Sequence, residues 1–205
     1  CSFYYFVINA SDVAGNMVTD DNAGIYYRFN TKEITTAYSV DLSTNPGWST
    51  EGQWAFGQPT GQGGQHGHPD PTSGFTGNNV YGYNLNGDYP NNSPAHSLTS
   101  TAFDCSNVSN AKLTYMRWLG VERNMYDQAS VQISNNGTTW NTLWMNPDIE
   151  HADDSWVKHE LDISDYADGQ SMVYLRWVNG ATDQGWQYCG WNIDDIVING
   201  TRPCS

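Results

Sequence analysis

The sequence predicts an all-β chain, an antiparallel β-sandwich with one long Gly-rich loop and a β-hairpin at its N-terminal end. Three observations carry that expectation. Aromatic and β-branched residues gather in short runs along the whole chain, punctuated by Asn, Asp, Gly and Ser. No segment sustains the apolar period of an amphipathic helix, and residues 164–167 have room for a single turn at most. Nine Trp, thirteen Tyr and six Phe supply enough flat apolar surface for a sizeable core, which argues against disorder.

In chain order, the first two runs are residues 3–8 and 25–29, joined by a Gly/Asn/Asp-rich stretch. They predict a hairpin. Residues 5–16 followed by 25–30 loosely resemble the closing strands of a fibronectin-III or Ig-like repeat, so residues 1–33 are read apart from a main domain at 34–205. A lone hairpin is marginal in water, because its apolar face has nothing to bury against. The segment is therefore expected to pack on the sandwich, on another domain, or on another molecule. Later strand runs fall at 79–85, 111–118, 129–134, 139–145, 156–162, 172–178 and 191–198. Between them lie turns at Asn135-Asn136-Gly137 and Asp168-Gly169, and the long Gly/Gln/Pro/His loop from Gly57 to Gly74.

Net charge is −14, from 22 acidic and 8 basic residues, which disfavours nucleic acid and anionic membrane surfaces and suits divalent cations. No apolar run has the length of a membrane span, so membrane insertion is not expected. Cys1, Cys105, Cys189 and Cys204 are widely spaced with no C-x-x-C pair. That pattern favours one or two disulfides over zinc, with the pairing open, and places the protein outside the cell, secreted or on its surface. The chain opens at Cys1 without a signal peptide, and reads as a processed or excised piece of a larger protein.

The most specific stretch is the last. Residues 173–178, Gly180 and Gly190-Trp191-Asn192-Ile193-Asp194-Asp195-Ile196-Val197-Ile198-Asn199-Gly200 lead to Cys204. Upstream, in order, stand Asp70-Pro71-Thr72-Ser73-Gly74, a long strand at 113–119, and a strand pair at 129–134 and 141–144. Together, over roughly residues 40–204, these resemble MAM-like domains and their bacterial relatives, the cleaved-adhesin domains. The resemblance implies a jelly-roll fold, a non-catalytic role in adhesion or glycan binding, and in some members bound calcium. The cysteine placement and the Gly/Gln/His loop depart from vertebrate MAM domains, so their homodimer role is not carried over.

Calcium needs six to eight oxygen ligands, several of them carboxylates. The loop 70–88 offers Asp70, Thr72, Asn86 and Asp88 among glycines, and Asp195 and Asp41 are candidates from the adjacent edge. The resemblance points to Asp70 and Asp195 first. His66-Gly67-His68-Pro69-Asp70 has the form of the start of a zinc or di-metal hydrolase site, but the remainder of such a site is missing. There is no nucleophile elbow or phosphate loop, and the neighbouring acids Glu150, Asp153, Asp154 and Glu160 read as solvated turns, so no enzyme is expected.

A pyranose presents an apolar C–H face to flat aromatics flanked by polar groups. Trp48, Tyr89, Trp186 and Tyr188 lie in loops and are the expected sugar platform, whereas Trp118, Trp140, Trp144, Trp156 and Trp177 belong in or beside strands and are expected in the core. The reading is a calcium-stabilised, non-catalytic binding module whose partner is a polysaccharide or a surface glycoprotein. A different class of reading is a subunit of an extracellular filament or surface layer, in which residues 1–33 exchange strands with copies of the same chain. A metal-dependent hydrolase built on His66, His68 and Asp70 is the remaining alternative.

Overall fold

The computed structural model describes residues 2–202, and its chain is almost entirely strand and loop. In order, β1 (Phe3–Phe6), β2 (Ile8–Ser11), β3 (Met17–Asp20) and β4 (Tyr27–Asn30) precede β5 (Glu33–Val40), β6 (Ser49–Thr50), β7 (Trp54–Gly57), β8 (Val80–Tyr83) and β9 (His96–Thr99). Then follow β10 (Ser109–Val121), β11 (Ala129–Ser134), β12 (Asn141–Met145), β13 (His151–Ala152), β14 (Val157–Asp162), the one-turn helix α1 (Ser164–Ala167), β15 (Tyr174–Asn179) and β16 (Gly190–Arg202). The antiparallel β-sandwich expected from the sequence is present, as is the single turn at 164–167.

A seven-stranded antiparallel sheet is built on the two 13-residue strands β10 and β16. Along its outer edge β10 pairs with β14 and then β13, and β16 pairs with β5 and then β8, which β7 flanks. The facing sheet has five strands in the order β12-β11-β15-β9-β6. Side chains alternate as a half-buried strand requires: Ala111, Leu113, Tyr115, Leu119 and Val121 of β10 point into the core. On β16 the buried series Trp191, Ile193 slips by one to Ile196, Ile198. The register slips there too, from Met116↔Asp194 to Thr114↔Val197, and Asp195 sits at φ 47°, a left-handed backbone conformation. The slip is a β-bulge, the device that re-aims side chains at the rim of a sheet.

The N-terminal hairpin expected from the sequence is present, with an interruption along its length. β1 pairs with β4 (Phe6↔Tyr27) while β2 pairs with β3 (Ile8↔Asp20), so two short ladders are separated by Val7 on one side and residues 21–26 on the other. Positive φ values at Asn22, Ala23, Gly24 and Tyr26 turn the chain through that excursion. Rings stack within the ladder, Tyr4 on Phe29 at 5.1 Å and Phe6 on Tyr27 at 5.5 Å, yet Phe3, Tyr5, Ile8, Met17 and Val18 remain exposed.

The cysteine expectation is corrected for one pair. Cys105 and Cys189 are buried free thiols. Cys105 precedes the first residue of β10, while Cys189 packs against Gly120 near its last, so strand geometry sets them on the order of 35 Å apart, far beyond disulfide reach. Cys1 and Cys204 lie outside the described residues. Among the described residues no helix is long and apolar enough to cross a membrane.

Candidate functional site

At the end of the sandwich where β10 closes and β11 opens, the loop between β15 and β16 carries Trp186, which remains 51% exposed. Its indole lies against the His66 imidazole at 4.5 Å with 10° between the planes. The His66 N–H donates to the Gln187 carbonyl at 3.2 Å, which ties the long Gly-rich loop to the Trp186 loop. Glycines suit that loop: at Gly64, φ 80°, a Cβ would stand 2.7 Å from the Pro69 nitrogen.

The Trp186 loop is held from beneath. Asn91 Nδ2 donates to the carbonyls of Gln184 and Gly185, each at 3.0 Å, and the Asp183 N–H donates to Asp127 Oδ1 at 2.8 Å. Asp127 is buried, and its Oδ2 accepts the Tyr89 hydroxyl at 2.6 Å. Beside Trp186 opens a cleft of about 390 Å³ lined by Glu122, Arg123, Tyr126, Glu150, Asp183 and Tyr188. Burial first, then the charges of Asp127 and Asp183, raise the Glu122 carboxyl above its ordinary range. Burial likewise raises Asp127. The site thus joins one flat, immobilised aromatic face to a ring of carboxylates, a guanidinium and a phenol, the groups that hydrogen-bond hydroxyls.

Of the four aromatics expected to meet a sugar, Trp186 alone presents its face. Trp48 is buried, stacked between Tyr81 at 5.4 Å and Trp177 at 5.6 Å, because the loop before β6 folds back into the core. Tyr89 is buried in its bond to Asp127. Tyr188 is buried although it belongs to the cleft lining. Trp177 is in the core as expected, whereas Trp118 and Trp156 are half-buried and meet edge to face at 6.0 Å over a second cleft of about 370 Å³ that includes His68 and Thr72.

The five expected metal ligands do not converge. Asp41 is exposed and accepts the Ser43 N–H in its own turn. Thr72 is exposed, and its carbonyl accepts Gln58 Nε2. Asp88 accepts the N–H groups of Gly64 and Gln65. The bulge turns Asp194 and Asp195 onto one residue of the facing loop: Asp194 Oδ2 accepts the Thr76 N–H at 3.0 Å and Asp195 Oδ1 the Thr76 hydroxyl at 2.6 Å. Asp41 and Asp88 thus accept backbone N–H groups of nearby turns, while Asp194 and Asp195 are tied to Thr76.

Asp70 differs. It is buried, its Oδ1 accepts Asn192 Nδ2 at 2.7 Å, and its Oδ2 has no donor among the described residues. Asn192 Oδ1 is equally buried and without a donor. Burial pushes the Asp70 carboxyl up to about 8, with the charge of Asp88 adding to it. The His66, His68, Asp70 grouping is not assembled either, since His66 lies on Trp186 and Asp70 on Asn192. Among the described residues the metal-compatible group of three acids is Glu122, Asp127 and Asp183, which sequence reasoning missed because they come from three separate loops.

No family model matches the chain. Bacillopeptidase F of Bacillus subtilis (strain 168) is 26% identical over 193 residues, covering 92% of this chain but only 12% of that protein. Among solved structures, a cleaved adhesin domain of Lys-gingipain from Porphyromonas gingivalis is 14% identical over 80% of this chain and 98% of its own, with a TM-score of 0.47. A xylan-binding domain from Paenibacillus barcinonensis is 13% identical over 86% and 100%, with a TM-score of 0.44. The chain is an all-β antiparallel sandwich, and the domains to which it is similar include cleaved adhesin domains.

Proposed function

We propose that the chain is a non-catalytic extracellular module that binds polysaccharide, free or on a surface glycoprotein, in the Trp186 cleft. The observation that carries this reading is the half-exposed Trp186 ring, clamped flat by His66 and rimmed by Glu122, Arg123, Glu150 and Asp183. Such a ring needs no ordering when a pyranose stacks on it, so little affinity is lost to side-chain entropy. Pull-down on insoluble xylan, cellulose and chitin is the test. Retention by one of them that disappears in Trp186→Ala and survives in Trp156→Ala supports the reading; equal retention in both variants contradicts it.

The module is also proposed to be calcium-stabilised at Asp70. Two buried oxygens without donors, Asp70 Oδ2 and Asn192 Oδ1, beside the negative charge of Asp88, support this reading, because a hard cation would be shared between them. The exposed aromatics of β1 and β4, on a two-stranded ladder with unpaired outer edges, favour a second reading in which copies of the chain join edge to edge. Size-exclusion chromatography of the full chain against a variant lacking residues 1–30 distinguishes it, a concentration-dependent larger species in the full chain alone being the expected result.

A further inference from the structure

The outer face of the five-stranded sheet carries a polar row that the Trp186 cleft does not use. Across the strands, Thr142 of β12 stands opposite Gln132 of β11, and Gln132 opposite Arg176 of β15. Arg176 in turn stands opposite Thr99 of β9, and Thr99 opposite Ser49 of β6. The alternate neighbours Val131, Ile133, Leu175, Trp177 and Leu98 are buried, so the row faces outward. Five strands at their usual spacing make it about 19 Å long. Its members are half-buried or exposed, and none is acidic.

Arg176, at the centre of the row, is held but not neutralised. Its guanidinium lies over the Trp140 ring at 4.2 Å, and its Nε donates to Gln132 Oε1, a neutral acceptor, at 2.6 Å. Arg117 and Arg202, by contrast, each meet a carboxylate. The two Arg176 Nη groups make no hydrogen bond among the described residues. The acid whose charge reaches Arg176 is Glu51, and its Oε2 already accepts the Ser97 N–H at 2.8 Å. In a chain of net charge −14, a fixed guanidinium without a carboxylate partner is an open donor fork.

We propose that this row is a second binding face, and that Arg176 selects there a saccharide that carries a carboxylate, that is, a uronic acid residue. This rests on the saccharide-binding reading above but uses residues that the Trp186 cleft does not share. The two Nη groups match the two oxygens of a carboxylate, and such charge-assisted bonds are roughly twice as strong as neutral ones. Trp140 and Gln132 fix the fork beforehand, so binding orders little. Thr99 on one side, and Thr142 beyond Gln132 on the other, offer hydroxyls to the sugar's own. A flat strip of hydroxyls suits a saccharide better than a peptide, whose side chains need pockets. The chain's more distant acids are screened beyond about 8 Å at physiological ionic strength.

The test is calorimetric titration of the full chain with trigalacturonic acid and with its methyl ester, two probes that differ only in their carboxylates. EDTA is present throughout, so that no calcium bridges acid to acid. Wild type is expected to bind the acid at least about tenfold more tightly than the ester. Arg176→Gln should bring the acid down to the level of the ester. Arg176→Lys keeps the charge without the planar fork and should fall between the two. Trp186→Ala should keep the full preference for the acid, so failure of this site and failure of the Trp186 cleft are read separately. No preference in wild type, or an undiminished one in Arg176→Gln, would overturn the proposal. Equal binding of a hexaglutamate peptide would also overturn it, by showing an anion site without selection for sugar. Thermal melts of both Arg176 variants control for folding, and Arg176→Lys retains the test if Arg176→Gln unfolds.

Discussion

Trp48 and Trp186 carry the same indole into opposite surroundings, one stacked on both faces inside the core and one stacked on a single face by His66. Their truncations should therefore separate cleanly. Trp48→Ala removes a buried ring and is expected to cost about 3–5 kcal/mol by urea unfolding. Trp186→Ala is expected to stay within about 0.5 kcal/mol, since its loop is held by Asn91, Asp127 and Asp183 rather than by the ring.

His159 provides a pH signature. Its Nδ1 faces the buried Tyr115 hydroxyl at 2.8 Å, and Trp144 meets its ring edge to face. Burial, with Arg117 and His151 nearby, holds its pKa down to about 4 against an ordinary 6.5. The unfolded chain thus takes up a proton below pH 6.5 that the folded chain refuses until about 4, so this residue withdraws stability as pH falls through that window and has no effect above it. His159→Gln should make the decline between pH 6.5 and 4 shallower in calorimetry; an unchanged slope would contradict the assignment. The thiols give a further check. Burial raises Cys105 to about 11 and Cys189 well above its usual range, so peptide mapping should find both alkylated only after denaturation.

At the scale of elements, β10 and β16 organise the molecule, and the contact that fastens their outer edge is ionic. Arg117 Nε and Nη2 donate to Asp153 at 3.0 and 3.2 Å, and Asp153 Oδ2 also accepts the Leu119 N–H. Both side chains are more than nine-tenths buried. Asp153→Ala strands the guanidinium and is expected to cost about 3–5 kcal/mol, read by urea unfolding. Residues 129–134 were legible because Val131 and Ile133 alternate with polar neighbours and the run ends at Asn-Asn-Gly. β3, β7 and β9 were not. Met17-Val18-Thr19-Asp20 and His96-Ser97-Leu98-Thr99 are short and mixed, and they are strands because of the partners they pair with. The turn of Asp194 and Asp195 onto Thr76 was likewise hidden, since it follows from a bulge that the local sequence does not announce.

At the scale of the whole molecule, the acidity and the loop tryptophan Trp186 were legible in the sequence, but their meeting point was not. Trp186 stood out as a loop aromatic between glycines and polar residues. That Glu122 and Asp183 line its cleft, with Asp127 buried close by, depends on β11 lying beside β15, a long-range pairing that no local pattern encodes. Cations that bind only the folded state raise its melting temperature by mass action. Removing calcium with EDTA is accordingly expected to lower the midpoint by several degrees, and an identical melt with and without chelator would exclude the stabilisation proposed at Asp70.

The central claim is that a sugar ring rests on Trp186. Nine tryptophans each give one indole N–H signal, so titrating the ¹⁵N-labelled chain with soluble oligosaccharide reads them all at once. The account predicts that the signal missing in Trp186→Phe is the one that moves, saturably, while the Trp48 and Trp177 signals stay. Movement confined to Trp118 and Trp156 would place the sugar in the other cleft and contradict it.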